Sequence, residues 1–304
     1  MDCDIQLARA GQVTYRNFTK LGYERLTRGV YGRLTETPGS DKYELTRARF
    51  LAHAKAAMAA CPSAILYGPT ALQVLGVALP SRLEEWDTIH ILVAAGVNRP
   101  ERRDVIAHSS TAALQVWKVI DGLPVLHPVD HWAQMRGATM DELIEIGDGL
   151  VRRKQPLLSM KQLQKRVDEL AGMPGVATIR RAAHWVRPGT DSLYESRTRM
   201  IIVHHGLPEP VVNLPVYVPA ADFEYHIDMG YKEERVGVEF DGRQHGSDRR
   251  QMDADAIRYG HLTGEDWFLI RVTATQLSNP RQFLKPLERA LIMRVGRGET
   301  SIVS

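Results

Sequence analysis

Apolar residues recur along this chain with two different periods, and the switches between them mark its elements. In residues 41–60, Leu45, Ala48, Leu51 and Ala52 return at helical spacing, which predicts an amphipathic helix. Just before it, Leu26-Thr27-Arg28-Gly29-Val30-Tyr31-Gly32-Arg33 alternates and carries glycines, the pattern of a small hairpin or wing. Pro69 near the start and Gly76 near the end bracket a short helix over 69–75. Residues 88–93 are β-branched and alternate, so a strand is expected there, with 104–108 as its neighbour. Helices are expected over 129–135, 140–153, 160–170 and 176–185, the second with Leu143, Ile146, Gly147 and Leu150 on one face. Pro188-Gly189-Thr190 interrupts the pattern. Beyond it come a helix over 192–205, strands over 211–218, 223–229 and 235–241, a helix over 253–262, a strand over 267–272 and a helix over 279–294. That succession makes a compact α/β unit. Three zones follow: residues 1–62, 63–188 and 189–304.

The third zone carries the candidate chemistry. Glu224-Tyr225-His226-Ile227-Asp228-Met229 and Val236-Gly237-Val238-Glu239-Phe240-Asp241 both alternate with period two. Val236, Val238 and Phe240 share one face of their strand; Glu239 and Asp241 share the other. A turn centred on Glu233-Glu234 sets Asp228 opposite Glu239, at about 5 Å between Cβ atoms. Like charges that close raise one another's pKa. A hard divalent cation, Mg²⁺ or Mn²⁺, removes that cost and can activate water at a phosphodiester. Gly242 permits close backbone approach after Asp241, and His245 stands where a proton donor or acceptor could act. The alternative is an edge hairpin whose acids face water, neutralised by Lys232, Arg235 and Arg243. Glu195 is a fourth candidate, although Ser192-Leu193-Tyr194-Glu195 also satisfies a capping box and Arg199 lies four residues on. Arg249 and Arg250, with Arg243, Arg258 and His261, follow the acids and suit either phosphate contact or a solvated helix face.

Composition narrows the classes without choosing among them. The 304 residues are 44% hydrophobic and 25% charged, with a net charge of +3, compatible with a polyanion partner. No apolar run is long enough to span a bilayer. Residues 1–20 carry Asp2, Asp4, Arg9 and Arg16 where a signal peptide needs an apolar core, so a cytoplasmic protein is expected. Cys3 and Cys61 fit no metal spacing and no disulfide framework. The histidines at 53, 108, 127, 131, 204 and 205 share no ligand spacing. The five tryptophans suit cores better than a base-stacking platform. Phosphate-binding glycine motifs are absent, so no nucleotide cofactor is expected.

Glu195, Asp228, Val238-Glu239-Phe240-Asp241-Gly242-Arg243-Gln244-His245, Asp255-Ala256-Ile257-Arg258 and residues 267–273 together resemble a bacterial domain family related to the very-short-patch-repair (Vsr) endonuclease. The resemblance spans about residues 191–277. It implies the restriction-endonuclease-like PD-(D/E)XK fold and a Mg²⁺-dependent endonuclease centre with Asp228 and Glu239 as ligands. Glu195 would support them from its helix, and Asp241 and His245 would stand near the scissile phosphate. The nuclease pattern carries Lys at the position of Asp241; Arg243 or Arg258 would have to replace it. Residues 63–153 resemble, through Tyr67-Gly68-Pro69-Thr70-Ala71, Ile89-His90-Ile91-Leu92-Val93 and Ile146-Gly147-Asp148-Gly149-Leu150, the α+β region of AbiEi-type antitoxins and regulators. Such proteins begin with a winged helix-turn-helix; here residues 11–33 are short for one, with 26–33 as the wing. The resemblances imply DNA as a partner and, for the antitoxin type, a toxin protein. Three readings stand: a metal-dependent DNA nuclease, a non-catalytic DNA-binding regulator that keeps a degenerate nuclease fold, and a structural protein with no nucleic-acid role.

Overall fold

The computed structural model describes residues 2–7, 15–35, 42–99, 101–242 and 249–295. The chain is mixed α/β and divides into two compact units: residues 1–146 with 161–181, and residues 147–160 with 182–304. Among the described residues no helix is long and apolar enough to cross a membrane.

The first unit opens with β1 (Asp2–Leu7), α1 (Tyr15–Lys20), β2 (Glu24–Thr27) and β3 (Val30–Thr35). The hairpin expected at 26–33 is β2–β3, turning through Gly29 at φ 82°, a left-handed conformation that glycine adopts without strain. It belongs to an antiparallel sheet of order β1-β3-β2. Ala52 and Ala56 of α2 (Lys42–Ala60) pack on Leu26 and Val30. Next come β4 (Ile65–Leu66), α3 (Gly68–Val74), β5 (Ile89–Ala94), β6 (Val105–Ser110), β7 (Lys118–Ile120) and β8 (Leu123–Val125). Their five-stranded mixed sheet has the order β6-β5-β4-β8-β7. Beyond the sheet lie α4 (Pro128–Trp132), α5 (Met140–Leu150), α6 (Met160–Glu169) and α7 (Val176–Ala183). Trp132 is fully buried and donates its indole N–H to the Leu143 carbonyl at 2.9 Å, which fixes the start of α5 against α4.

The second unit contains α8 (Leu193–His204), β9 (Val211–Val218), β10 (Phe223–Tyr231), β11 (Val236–Asp241), α9 (Arg249–Gly264), β12 (Phe268–Thr273), α10 (Ala274–Ser278) and α11 (Arg281–Arg294). The sheet order is β12-β11-β10-β9, with β11 and β12 parallel and the other neighbours antiparallel. On one face Val236, Val238, Met229, Ile270 and Val272 pack with Ile202 of α8 and with Phe283, Leu284 and Leu287 of α11. On the other, Leu214, Val216, Val218 and Ile227 pack with Leu262 of α9 and with Trp267. Burial on both faces explains why β11 has so few polar positions. It also locates the glycine requirement: a Cβ on Gly237 would come within 2.6 Å of Leu269 and 2.8 Å of Ile227. At Gly242, among the described residues, it would meet the Phe240 ring at 3.3 Å. The helix expected over 279–294 is α11, and the short α10 ahead of it, separated by Asn279 and Pro280, was not expected.

Candidate functional site

β10 and β11 pair Met229 with Val238 and Tyr231 with Val236, so the turn is centred between residues 233 and 234, as the alternation predicted. The ladder does not continue to Asp228. Ile227 packs with Leu214 and Val216, whereas Met229 packs with Val238 and Tyr231 in the opposite core. In a regular strand two such residues share a face; the alternation therefore breaks at Asp228. Beside the break, Asn213 of β9 adopts a left-handed φ of 51°. Freed from the ladder, the Asp228 carboxylate accepts the Phe240 backbone N–H at 2.9 Å. It stands within charge–charge range of both Glu239 and Glu195.

Glu195 lies in the first turn of α8. Its backbone N–H donates to the Ser192 hydroxyl at 3.2 Å, and its carboxylate accepts the Ser192 hydroxyl at 2.9 Å and the Asp191 N–H at 2.8 Å. The capping role is real, but the expected pairing with Arg199 is replaced: that guanidinium turns inward to Asp148, Glu209 and the Trp185 carbonyl. Capping does not account for Glu195 fully, because burial, and then the Asp228 and Asp191 charges, push its carboxyl up to about 7. Burial likewise raises Asp228 to about 6, with Glu239 and Asp191 adding to the rise; the Phe240 N–H and Arg258 oppose it.

Glu239 is buried and points toward α9, where the Arg258 guanidinium binds it and also donates to the His226 carbonyl at 2.7 Å. Arg258 thus stands inside the acid cluster. Asp191 adds a carboxylate that the sequence did not single out. Burial works against its charge, but Arg153, bonded through Nε at 3.0 Å, and Lys154, at 3.5 Å, hold it below the usual carboxylate range. Asp241 ends β11 opposite Thr273, half-buried. Arg249 and Arg250 begin α9; Arg243 and His245 lie outside the described residues.

Beside the acids, Tyr194 and Phe240 stack in parallel, centroids 4.7 Å apart and planes 6° from each other. Their places next to Glu195 and Glu239 could have suggested that neighbourhood; the ring stack could not be read without the fold. Among the described residues no group of three or more His, Cys, Asp or Glu side chains is placed to hold a metal ion. In the first unit, His90 and His108 share a hydrogen bond of 3.0 Å, and Glu85 meets the other nitrogen of His90 at 2.9 Å. His131 is fully buried in a core, and burial lowers it to about 3, so it stays neutral.

No family model matches the chain. It is similar to two uncharacterized proteins of Mycobacterium tuberculosis, one from strain CDC 1551 / Oshkosh and one from strain ATCC 25618 / H37Rv. It is 21% identical to each over 111 residues, which is 36% of this chain. The chain spans 41% of the length of these curated relatives.

Proposed function

We propose that the second unit is a restriction-endonuclease-like, PD-(D/E)XK domain that hydrolyses DNA phosphodiester bonds with Mg²⁺ or Mn²⁺. The observation that carries this reading is the gathering of acid at one spot: Asp228, Glu195 and Glu239 share a neighbourhood in which, among the described residues, Arg258 is the cation bonded to Glu239. Carboxyls raised by burial and by neighbouring acids are candidates for a functional site. The donor set fits a hard cation, since Mg²⁺ takes one or two carboxylates and leaves its other positions to water and substrate phosphate. Asp228 and Glu239 would hold it. When bound, the metal supplies an activated water and charge stabilisation at phosphorus. Glu195, with a pKa near 7, is suited to hold or release a proton at neutral pH. Arg258 stands where a cation is needed once Lys is absent from position 241.

One observation favours a second reading. Arg258 already neutralises Glu239 from within the chain, as expected of a non-catalytic DNA-binding regulator of the AbiEi antitoxin type that keeps a degenerate nuclease fold, with a toxin protein as its partner. Plasmid nicking separates the two. Nicking that needs Mg²⁺ or Mn²⁺ and disappears in Asp228→Asn supports the nuclease. DNA retardation without nicking in either metal supports the regulator.

A further inference from the structure

We infer that the Tyr194 ring, stacked on Phe240 beside the acid cluster, is a platform for an unpaired nucleobase, so that this site takes single-stranded nucleic acid. The inference rests on the reading above that the second unit acts on nucleic acid, and it names the substrate class.

Both rings are tied to the acids through the backbone. Tyr194 immediately precedes Glu195 in the first turn of α8, and Phe240 lies between Glu239 and Asp241 on β11. The Phe240 N–H is the group that binds Asp228, so the stack cannot move independently of the cluster. Phe240 packs inward on the α8 and α11 core. Tyr194 covers Phe240 and remains 43% exposed. The ring thus presents apolar surface next to a group of buried charges. The Arg197 guanidinium lies over the same ring, 5.9 Å from its centroid, so a base stacking on Tyr194 takes the place of that guanidinium.

A flat, rigidly backed ring is what stacking on a base requires, and every base has a face to offer. Inside a duplex both faces of a base are covered by its neighbours, so the ring can engage only a base that is unpaired and unstacked. A strand stacked on Tyr194 would have its adjoining phosphates at the acid cluster, because the two sites are adjacent along both α8 and β11.

The test is fluorescence anisotropy with a labelled single strand and the matching duplex, in low salt with Ca²⁺ in place of Mg²⁺ or Mn²⁺, so that the acids keep a cation while cleavage is suppressed. Wild type, Tyr194→Phe and Tyr194→Ala are compared, each checked for an unchanged melting temperature. The expected result is tighter binding of the single strand, a loss of ~10-fold for it alone in Tyr194→Ala, and full retention in Tyr194→Phe. Equal binding of both forms, or a Tyr194→Ala protein that still prefers the single strand by the wild-type factor, overturns the platform and leaves the nuclease reading to the nicking assay. Failure of the wild type to bind either form overturns the platform and the DNA-acting reading together.

Discussion

Two ionic clusters in the second unit carry buried charge, and they resolve it in opposite ways. Around Asp148 the charges balance. Asp148 and Arg199 are both fully buried and joined at 2.9 Å, Arg199 reaches Glu209 at 2.8 Å, and Arg187 reaches Glu209 at 2.9 Å and gives Asp148 its backbone N–H at 2.7 Å. Two acids meet two arginines, which work against the burial of Asp148; burial still prevails and holds that carboxyl above the usual carboxylate range. Around Asp228 the charges do not balance. Among the described residues Asp191, Glu195, Asp228 and Glu239 face Arg153, Lys154 and Arg258, and two of the four carboxyls are pushed up to about 6 and 7. Burial alone therefore does not tell the two clusters apart. Under the proposed function, the distinction lies in whether the chain supplies the counter-charge or leaves it to a bound cation.

Breaking the balanced cluster has the largest consequence. Arg199→Ala leaves Asp148 buried without its partner and should lose about 3–5 kcal/mol in urea unfolding. A double Arg199→Met/Asp148→Leu variant should recover much of that loss, because neither charge is then stranded. A single substitution that costs nothing would show that the pair is not buried in solution.

Neutralising the unbalanced cluster should do the reverse. Asp228 and Glu195 bind a proton more tightly in the folded than in the unfolded protein, so their contribution favours folding at low pH. It is lost as pH rises from about 4, where the unfolded carboxyls ionise, through their folded values of about 6 and 7. The loss is on the order of 2–3 kcal/mol for each group. Asp228→Asn and Glu195→Gln keep the hydrogen-bond acceptors and should remove it, giving proteins more stable than wild type at pH 8 and equal to it near pH 4. Superimposable stability curves for variants and wild type would mean that the acids are already compensated.

A smaller effect sharpens the contrast. Arg258→Gln should cost about 1.5–3 kcal/mol through the lost charge-assisted bond to Glu239. It should also raise the Asp228 carboxyl further, since Arg258 lowers it. The pH-dependent loss would then steepen, whereas a purely structural Arg258 would lower stability uniformly across pH.

The second unit was largely legible in its sequence because its signals are local. Period two over 229–241 and the charged turn at 233–234 define the hairpin register, but the ladder pairing of Asp228 with Glu239 expected from that pattern does not form, because the alternation breaks at Asp228. The capping pattern at 192–195 marks the start of α8. In the first unit, Cys3, Ile5 and Leu7 alternate with Asp2, Asp4 and Gln6, yet β1 was not expected, since two aspartates in six residues argue against a strand. β7, three residues long and mostly exposed, offers too little pattern to detect. Other features depend on contacts distant in sequence. Arg153 meets Asp191 across 38 residues, Arg199 meets Asp148 across 51, and the break that releases Asp228 from its ladder lies beside a left-handed Asn213 that no motif announces. Nor could the pattern say that Arg258 turns toward Glu239, because a solvated helix face and an inward ion pair carry the same residue types.

Titration calorimetry with Mg²⁺ and Mn²⁺ on the wild type and on Asp228→Ala/Glu239→Ala tests the central claim, that the unbalanced acids are completed by a cation from outside the chain. The account predicts saturable binding at millimolar metal or below in the wild type and none in the double variant. Absence of binding in the wild type, or equal binding in both proteins, would contradict it and leave the cluster as a protonated part of the scaffold.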